Sequence, residues 1–187
     1  MRAERVDLAH RELFAPARDA LIGEAAGRVL DLGDAPETRD RLRALGAFLV
    51  DTTMFDAMAT ALPFRDRAFH VSYAWYVFER LAFEAVVPVL SEMARVTERR
   101  LILGLTTGLR SDGRIVTVTG ADNQRQTQFP VQMLQTLLAL GGFAEIGVVR
   151  CRLIDDVFIV ADRPPPAEGL EGPDGGPGAV EPDLSDL

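Results

Sequence analysis

Apolar positions in this chain fall into short blocks and longer helix-spaced stretches, and the two kinds alternate. The blocks are Val29–Leu32, 47–50, 69–76, 101–105, 143–151 and 153–161. Each is rich in β-branched, leucine or aromatic residues and bounded by glycine, proline or charge, which predicts strands. The helix-spaced stretches begin with 6–26, where Leu13, Phe14, Leu21 and Ile22 share a face and Pro16 starts a second helix. Next come 37–45, then 81–96 with Leu81, Val86, Leu90 and Met93 near one face, and 130–140. Gly27, Gly46 and the Gly141-Gly142 pair stand where helices should stop. Pro88 should kink its helix or mark the true start. Residues 52–61 suit two helical turns, and Leu62-Pro63-Phe64-Arg65-Asp66 reads as a loop.

The order of these elements is informative. Residues 27–37, G-R-V-L-D-L-G-D-A-P-E, read as strand, tight turn at Gly33 and helix start, with Asp34 and Glu37 placed as a capping box around Pro36. Strand, glycine turn and helix make the first βα unit of an open α/β sheet. The first strand should be flanked by 47–50 and 69–73, and the last two blocks should pair antiparallel. Residues 109–128 form a long polar stretch. Within it 114–119 alternate as a strand does, and Asp112-Gly113 could turn that strand back onto 101–106 as a hairpin over the carboxyl edge or a dimer contact.

Composition narrows the classes. The chain has 187 residues, 48% hydrophobic and 26% charged, enough for one domain with a real core. The expected division is a helical segment at 1–26, a domain at 27–163 and a tail at 164–187. Eleven of the last 24 residues are proline or glycine, so the tail is expected to stay disordered. All 20 basic residues are arginine, scattered without a basic stripe, and net charge is -8; this argues against nucleic acid as a partner. No apolar run reaches spanning length and no signal peptide opens the chain, so a cytoplasmic location away from membranes is expected. Cys151 alone permits no internal disulfide, and with only His10 and His70 beside it a zinc centre is not expected. His70, beside Phe69, is expected to pack in the core rather than act as a general base.

Several segments resemble the class I S-adenosylmethionine-dependent methyltransferases, in particular the small-molecule branch of the methyltransferase type 11 kind. V-L-D-L-G at Val29–Gly33 is similar to that family's first motif. A-L-P-F-R-D at 61–66 with A-F-H-V at 68–71 resembles its L-P-F-x-D-x-x-F-D segment, W-Y-V-F-E-R-L at 75–81 the stretch after its fourth strand, and L-L-A-L-G-G-F at 137–143 the end of its last helix. The resemblance covers roughly 21–163 and implies a Rossmann-like α/β fold. Such a fold has a mostly parallel sheet, helices on both faces and a C-terminal antiparallel hairpin. The first motif is degenerate: Ala35 and Glu37 stand where the family has glycines, and the chain between Gly33 and Leu62 is short.

The resemblance implies S-adenosylmethionine as cofactor. It would be held by Asp31, Gly33, Asp34 and Ala35 at the first turn, by Asp51 and Thr52 at the ribose, and by Asp56 and Ala57 at the adenine. Tyr73, Trp75 and Tyr76 would wall a substrate pocket, with core packing as their other reading. Asp34 and Glu37 put negative charge where the cofactor's carboxylate would want helix N–H groups, so binding is expected to be weak or absent. Two functions are consistent with this. One is methyl transfer to a small molecule; the other is a non-catalytic pseudoenzyme domain that holds a protein partner, with a homodimer as one form. Methyl transfer from a sulfonium needs alignment and dryness more than a catalytic side chain, so no catalytic residue is assigned.

Overall fold

A computed structural model of the chain describes residues 27–32, 48–51, 60–75, 77–105, 113–119, 125–150 and 157–164. The first strand, β1 (Arg28–Asp31), pairs in parallel with β2 (Phe48–Asp51) on one side and β3 (Phe69–Trp75) on the other, as the sequence predicts. The strand β4 (Thr97–Leu105) continues the parallel set. Then β8 (Val157–Asp162) joins antiparallel and β7 (Glu145–Arg150) closes the sheet beyond it, giving the order β2-β1-β3-β4-β8-β7. The expected C-terminal hairpin is therefore present. The expected helices at 6–26 and 37–45, the turns at 52–59, Cys151 and the tail beyond Pro164 lie outside the described residues.

Two helices cover one face. The helix α1 (Phe83–Val96) turns Val86, Val89, Leu90 and Met93 onto Leu30, Leu101, Leu103 and Ile159, and α2 (Val131–Leu140) adds Leu134 and Leu138. On the other face Val29, Val71, Tyr73, Ile102 and Phe158 are also buried. Burial on both faces explains why Leu101–Leu105 is an unbroken apolar run.

Four local readings change. Pro88 lies inside α1, not at its start, and Phe83 begins the helix. Pro88 is exposed, so the carbonyl it leaves without an N–H partner faces water. The fourth strand begins at Thr97 directly after α1, four residues earlier than its apolar block. Thr97 makes that junction, with Oγ1 hydrogen-bonded to the Met93 carbonyl and to Ser72 Oγ at 2.6 Å. The strand β5 (Val116–Thr119) does not fold back on β4. Both edges of β4 are taken by β3 and β8, and β5 pairs antiparallel with β6 (Arg125–Gln128) as a separate two-stranded sheet.

His70 is the fourth. The register shifts between Phe69 and Val71. This bulge sends Phe69 into the α1 face, an odd number of residues from Ser72, and leaves His70 half-buried rather than in the core. His70 Nδ1 accepts the Arg28 N–H at 3.1 Å and Nε2 lies 3.4 Å from Glu98. Gly27, at φ +142°, leaves room for the ring, since a Cβ there would sit 2.5 Å from Nδ1.

Candidate functional site at the carboxyl edge of the sheet

In a parallel sheet, residues opposite one another in register point to the same side, so register places the candidate residues. Asp51 of β2 is opposite Asp31 of β1, Asp31 is opposite Tyr73 of β3, and Tyr73 is opposite Ile102 of β4. Both acids end their strands. The chain then extends one step, and the Leu32 N–H donates to the Tyr73 carbonyl at 2.8 Å. By contrast, β3 runs two residues past Tyr73 to Trp75, which is opposite Gly104. The edge is thus stepped by roughly 6–7 Å at two residues of rise, lower over β1 and β2 than over β3 and β4.

The strand order reverses at this step. From β1 the sheet grows to β2 on one side and to β3 on the other. Such a reversal leaves a crevice outside the carboxyl ends, where open α/β sheets bind their ligands. Asp31 ends β1 at this reversal and is 3% exposed. Tyr73 is fully buried one row below the edge. Trp75 closes β3, and Asp51 is placed by its backbone at the end of β2. Gly33, Asp34, Ala35, Thr52, Asp56, Ala57 and Tyr76 lie outside the described residues.

Beyond β3, the chain makes a 3-10 helix, Phe78–Arg80, with Phe78 and Glu79 buried. The β5–β6 hairpin packs beside this turn, with Thr127 and Phe129 buried where it returns to α2. The polar stretch therefore does form a hairpin at the carboxyl side, built on its own two strands. Glu79 is a buried acid at this edge that the sequence reading did not single out. The available signal was one acid closing the aromatic run W-Y-V-F-E.

The motif 61–66 sits at the opposite end and serves a different purpose. Arg95 at the end of α1 uses three of its five N–H groups on it and the other two on Glu92. Nη1 donates to the Phe64 carbonyl (2.7 Å) and Asp66 Oδ1 (2.8 Å), and Nη2 donates to the Leu62 carbonyl (3.0 Å) and Glu92 Oε2 (2.8 Å). Nε donates to Glu92 Oε1 at 2.9 Å, and the Leu62 N–H donates back to Glu92 Oε2 at 2.9 Å. The hydrogen bond from Arg95 holds the Glu92 carboxyl below its ordinary value, and Glu92 and Asp66 together raise the Arg95 guanidinium. His70 belongs to this amino end as well, away from the crevice. Among the described residues no group of three or more His, Cys, Asp or Glu could hold a metal, and no helix is long and apolar enough to cross a membrane.

No protein-family model and no curated protein matches the chain. Solved structures do. Over 87% of its length the chain is similar to 86% of a 1,6-didemethyltoxoflavin-N1-methyltransferase from Burkholderia thailandensis, determined with its substrate and S-adenosylhomocysteine bound, at 15% identity and a TM-score of 0.55. It is similar over 87% of its length to 95% of an S-adenosylmethionine-dependent methyltransferase from Thermotoga maritima, at 17% identity and a TM-score of 0.54. Over 85% it matches 82% of a magnesium protoporphyrin IX methyltransferase from Synechocystis with S-adenosylmethionine bound, at 12% identity and a TM-score of 0.53. Identities this low carry the fold, and the fold is that of the class I S-adenosylmethionine-dependent methyltransferases.

Proposed function

We propose that the chain is an S-adenosylmethionine-dependent methyltransferase acting on a small molecule, with its cofactor in the stepped crevice over β1 and β2. The observation that carries this reading is the register of Asp51, Asp31 and Tyr73 across the point where the strand order reverses. When bound, the cofactor supplies an activated methyl group on a sulfonium. The chain's own residues would hold and orient it: Asp31 would face its positive charge, Asp51 would accept from the ribose hydroxyls, and Gly33 to Ala35 would contact its methionine part. Trp75 and Tyr76, which follow the buried Tyr73, would bound the acceptor's side, and the β5–β6 hairpin would limit water at the carboxyl edge. Alignment of acceptor, methyl and sulfur in a dry site accounts for most of the rate, with no covalent step on the protein. The absence of a basic stripe argues against a nucleic-acid acceptor and favours one of metabolite size.

Ala35 is small enough to leave space under the cofactor, whereas Asp34 and Glu37 oppose its carboxylate. Affinity for S-adenosylhomocysteine is therefore expected at tens of micromolar or weaker, about -6 kcal/mol. Isothermal titration tests the reading. Saturable heat that Asp51→Ala abolishes supports the enzyme. No heat and no thermal shift at millimolar ligand would leave a methyltransferase-like scaffold.

A further inference from the structure

A second concave surface lies between α1 and α2. It encloses about 360 Å³, which is the size of a small-ligand site. Leu90 and Ala94 of α1 line it from below, both buried. Val87 of α1 and Leu137 and Leu140 of α2 line it toward solvent, with Val87 44% and Leu140 80% exposed. The hollow is therefore apolar in its body and open to water.

Its lining also carries charge. The Arg163 guanidinium donates through Nη2 to the Ala94 carbonyl (2.6 Å) and through Nε to the Thr97 carbonyl (3.1 Å), and it lies over the Phe143 ring at 4.5 Å. These contacts hold the group in one place. Its Nη1 fills the space that a side chain at 142 would take, since a Cβ on Gly142 would sit 2.5 Å from it. An arginine has five N–H donors. The two on Nη1 and the second on Nη2 meet no acceptor among the described residues.

Two carbonyls do not neutralise a guanidinium. Arg95, at the same surface, is neutralised by Glu92 and Asp66. Among the described residues neither Arg163 nor Arg67 makes an ion pair. Burial, and then the nearby charge of Arg67, push Arg163 below its ordinary value, yet an arginine stays charged. Two like charges within reach of each other, one of them part-buried, are stabilised by an anion.

We propose that the hollow between α1 and α2 binds a small amphipathic carboxylate, of the class of medium-chain aliphatic acids. Its carboxylate takes the remaining N–H groups of Arg163, whose planar fork matches two carboxylate oxygens. Its hydrocarbon body lies along Leu90, Leu137 and Leu140 and removes that apolar surface from water. A cation of the same shape lacks the head that Arg163 needs, and a short acid lacks the body. This surface shares no residue with the crevice over β1 and β2, so the proposal does not depend on cofactor binding.

The test is titration of the full chain with octanoate, followed through amide signals, with acetate and octylammonium as controls. The expected result is saturable shifts at Val87, Leu90, Leu137, Leu140 and Gly142, with a dissociation constant on the order of hundreds of micromolar. Acetate and octylammonium should each bind at least about tenfold more weakly. Arg163→Gln should remove the preference for octanoate over octylammonium. Because Arg163 also holds two carbonyls, two surface variants give an independent reading. Leu140→Asp should weaken octanoate about tenfold and Arg67→Gln about twofold, with signal dispersion kept in both. Several results would overturn the proposal: no saturable shift at millimolar octanoate, shifts at another surface, equal affinity for octylammonium, or affinity unchanged in folded Leu140→Asp.

Discussion

At the amino end of the parallel strands, Arg95 commits all five N–H groups to Glu92, Asp66 and two backbone carbonyls, and His70 bridges Arg28 and Glu98. At the carboxyl end the strands stop at different heights, and a buried acid, Asp31, lies below the step. The first arrangement holds the chain's own loops. The second lies at a reversal of strand order, which is where an α/β sheet can take a ligand. The lesson is that a resembling motif need not be part of the site. L-P-F-R-D at 62–66 is conspicuous in the sequence and is a structural clamp, whereas the proposed site lies at the short strand end at Asp31.

If the two ends are as separate as this, substitutions at the clamp lower stability and leave the crevice intact. Arg95→Ala should have the largest effect, about 2–3 kcal/mol in urea unfolding. It strips hydrogen bonds from a part-buried carboxylate and two carbonyls, with some solvent screening at an Arg95 side chain 31% exposed. Arg95→Lys should recover less than half, because a point charge cannot reproduce the planar fork. Ligand affinity that falls in step with stability would break the comparison.

Thr97→Val comes next. It removes the hydroxyl shared by Ser72 and the Met93 carbonyl at a fully buried helix-strand junction, so a loss of about 1–2 kcal/mol is expected from chemical denaturation. A neutral result would mean that the two partners find other bonds.

The Glu92 effect is smaller and depends on pH. Its carboxyl is held below the ordinary value of about 4.5 by Arg95 and the Leu62 N–H. A lowered folded value means stability that is present above 4.5 and lost as pH falls through that folded value. The urea midpoint of the wild type should therefore drop on acidification below pH 4.5, and Glu92→Gln should flatten part of that drop. An unchanged acid limb in the variant would remove Glu92 from the clamp.

Two glycines give the smallest effects and sharpen the contrast. Gly142 has φ +87° and a Cβ there would sit 2.5 Å from Arg163 Nη1, so Gly142→Ala should cost about 1 kcal/mol in thermal unfolding. Gly147→Ala meets nothing within 4 Å and should stay within about 0.5 kcal/mol of wild type.

The parts of the fold that were legible in the sequence are those whose burial is written locally. The strands β1 and β2 are apolar blocks that end in an acid, β3 is an aromatic and β-branched run, and α2 is framed by Pro130 and Gly141-Gly142. Other parts depend on contacts distant in sequence. The strand β6 is R-Q-T-Q, polar throughout, and exists because β5 needs a partner once both edges of β4 are filled. The start of β4 at Thr97 was hidden because Glu98 and Arg100 find their partners on His70 and Asp162. The bulge at His70 has no local signature, and the Arg95 clamp joins groups about thirty residues apart. Of the candidate site, the ends of β1 and β2 at Asp31 and Asp51 could be read directly. Their alignment with Tyr73 could not, because register between separated strands is set by packing.

The most direct test of the central claim is calorimetric titration of the full chain with S-adenosylhomocysteine, repeated for Asp51→Ala and Arg95→Ala. The account predicts one-site binding at tens of micromolar or weaker, about -6 kcal/mol, lost in Asp51→Ala and kept in folded Arg95→Ala. Absence of any binding at millimolar ligand, or binding that survives Asp51→Ala unchanged, would contradict it.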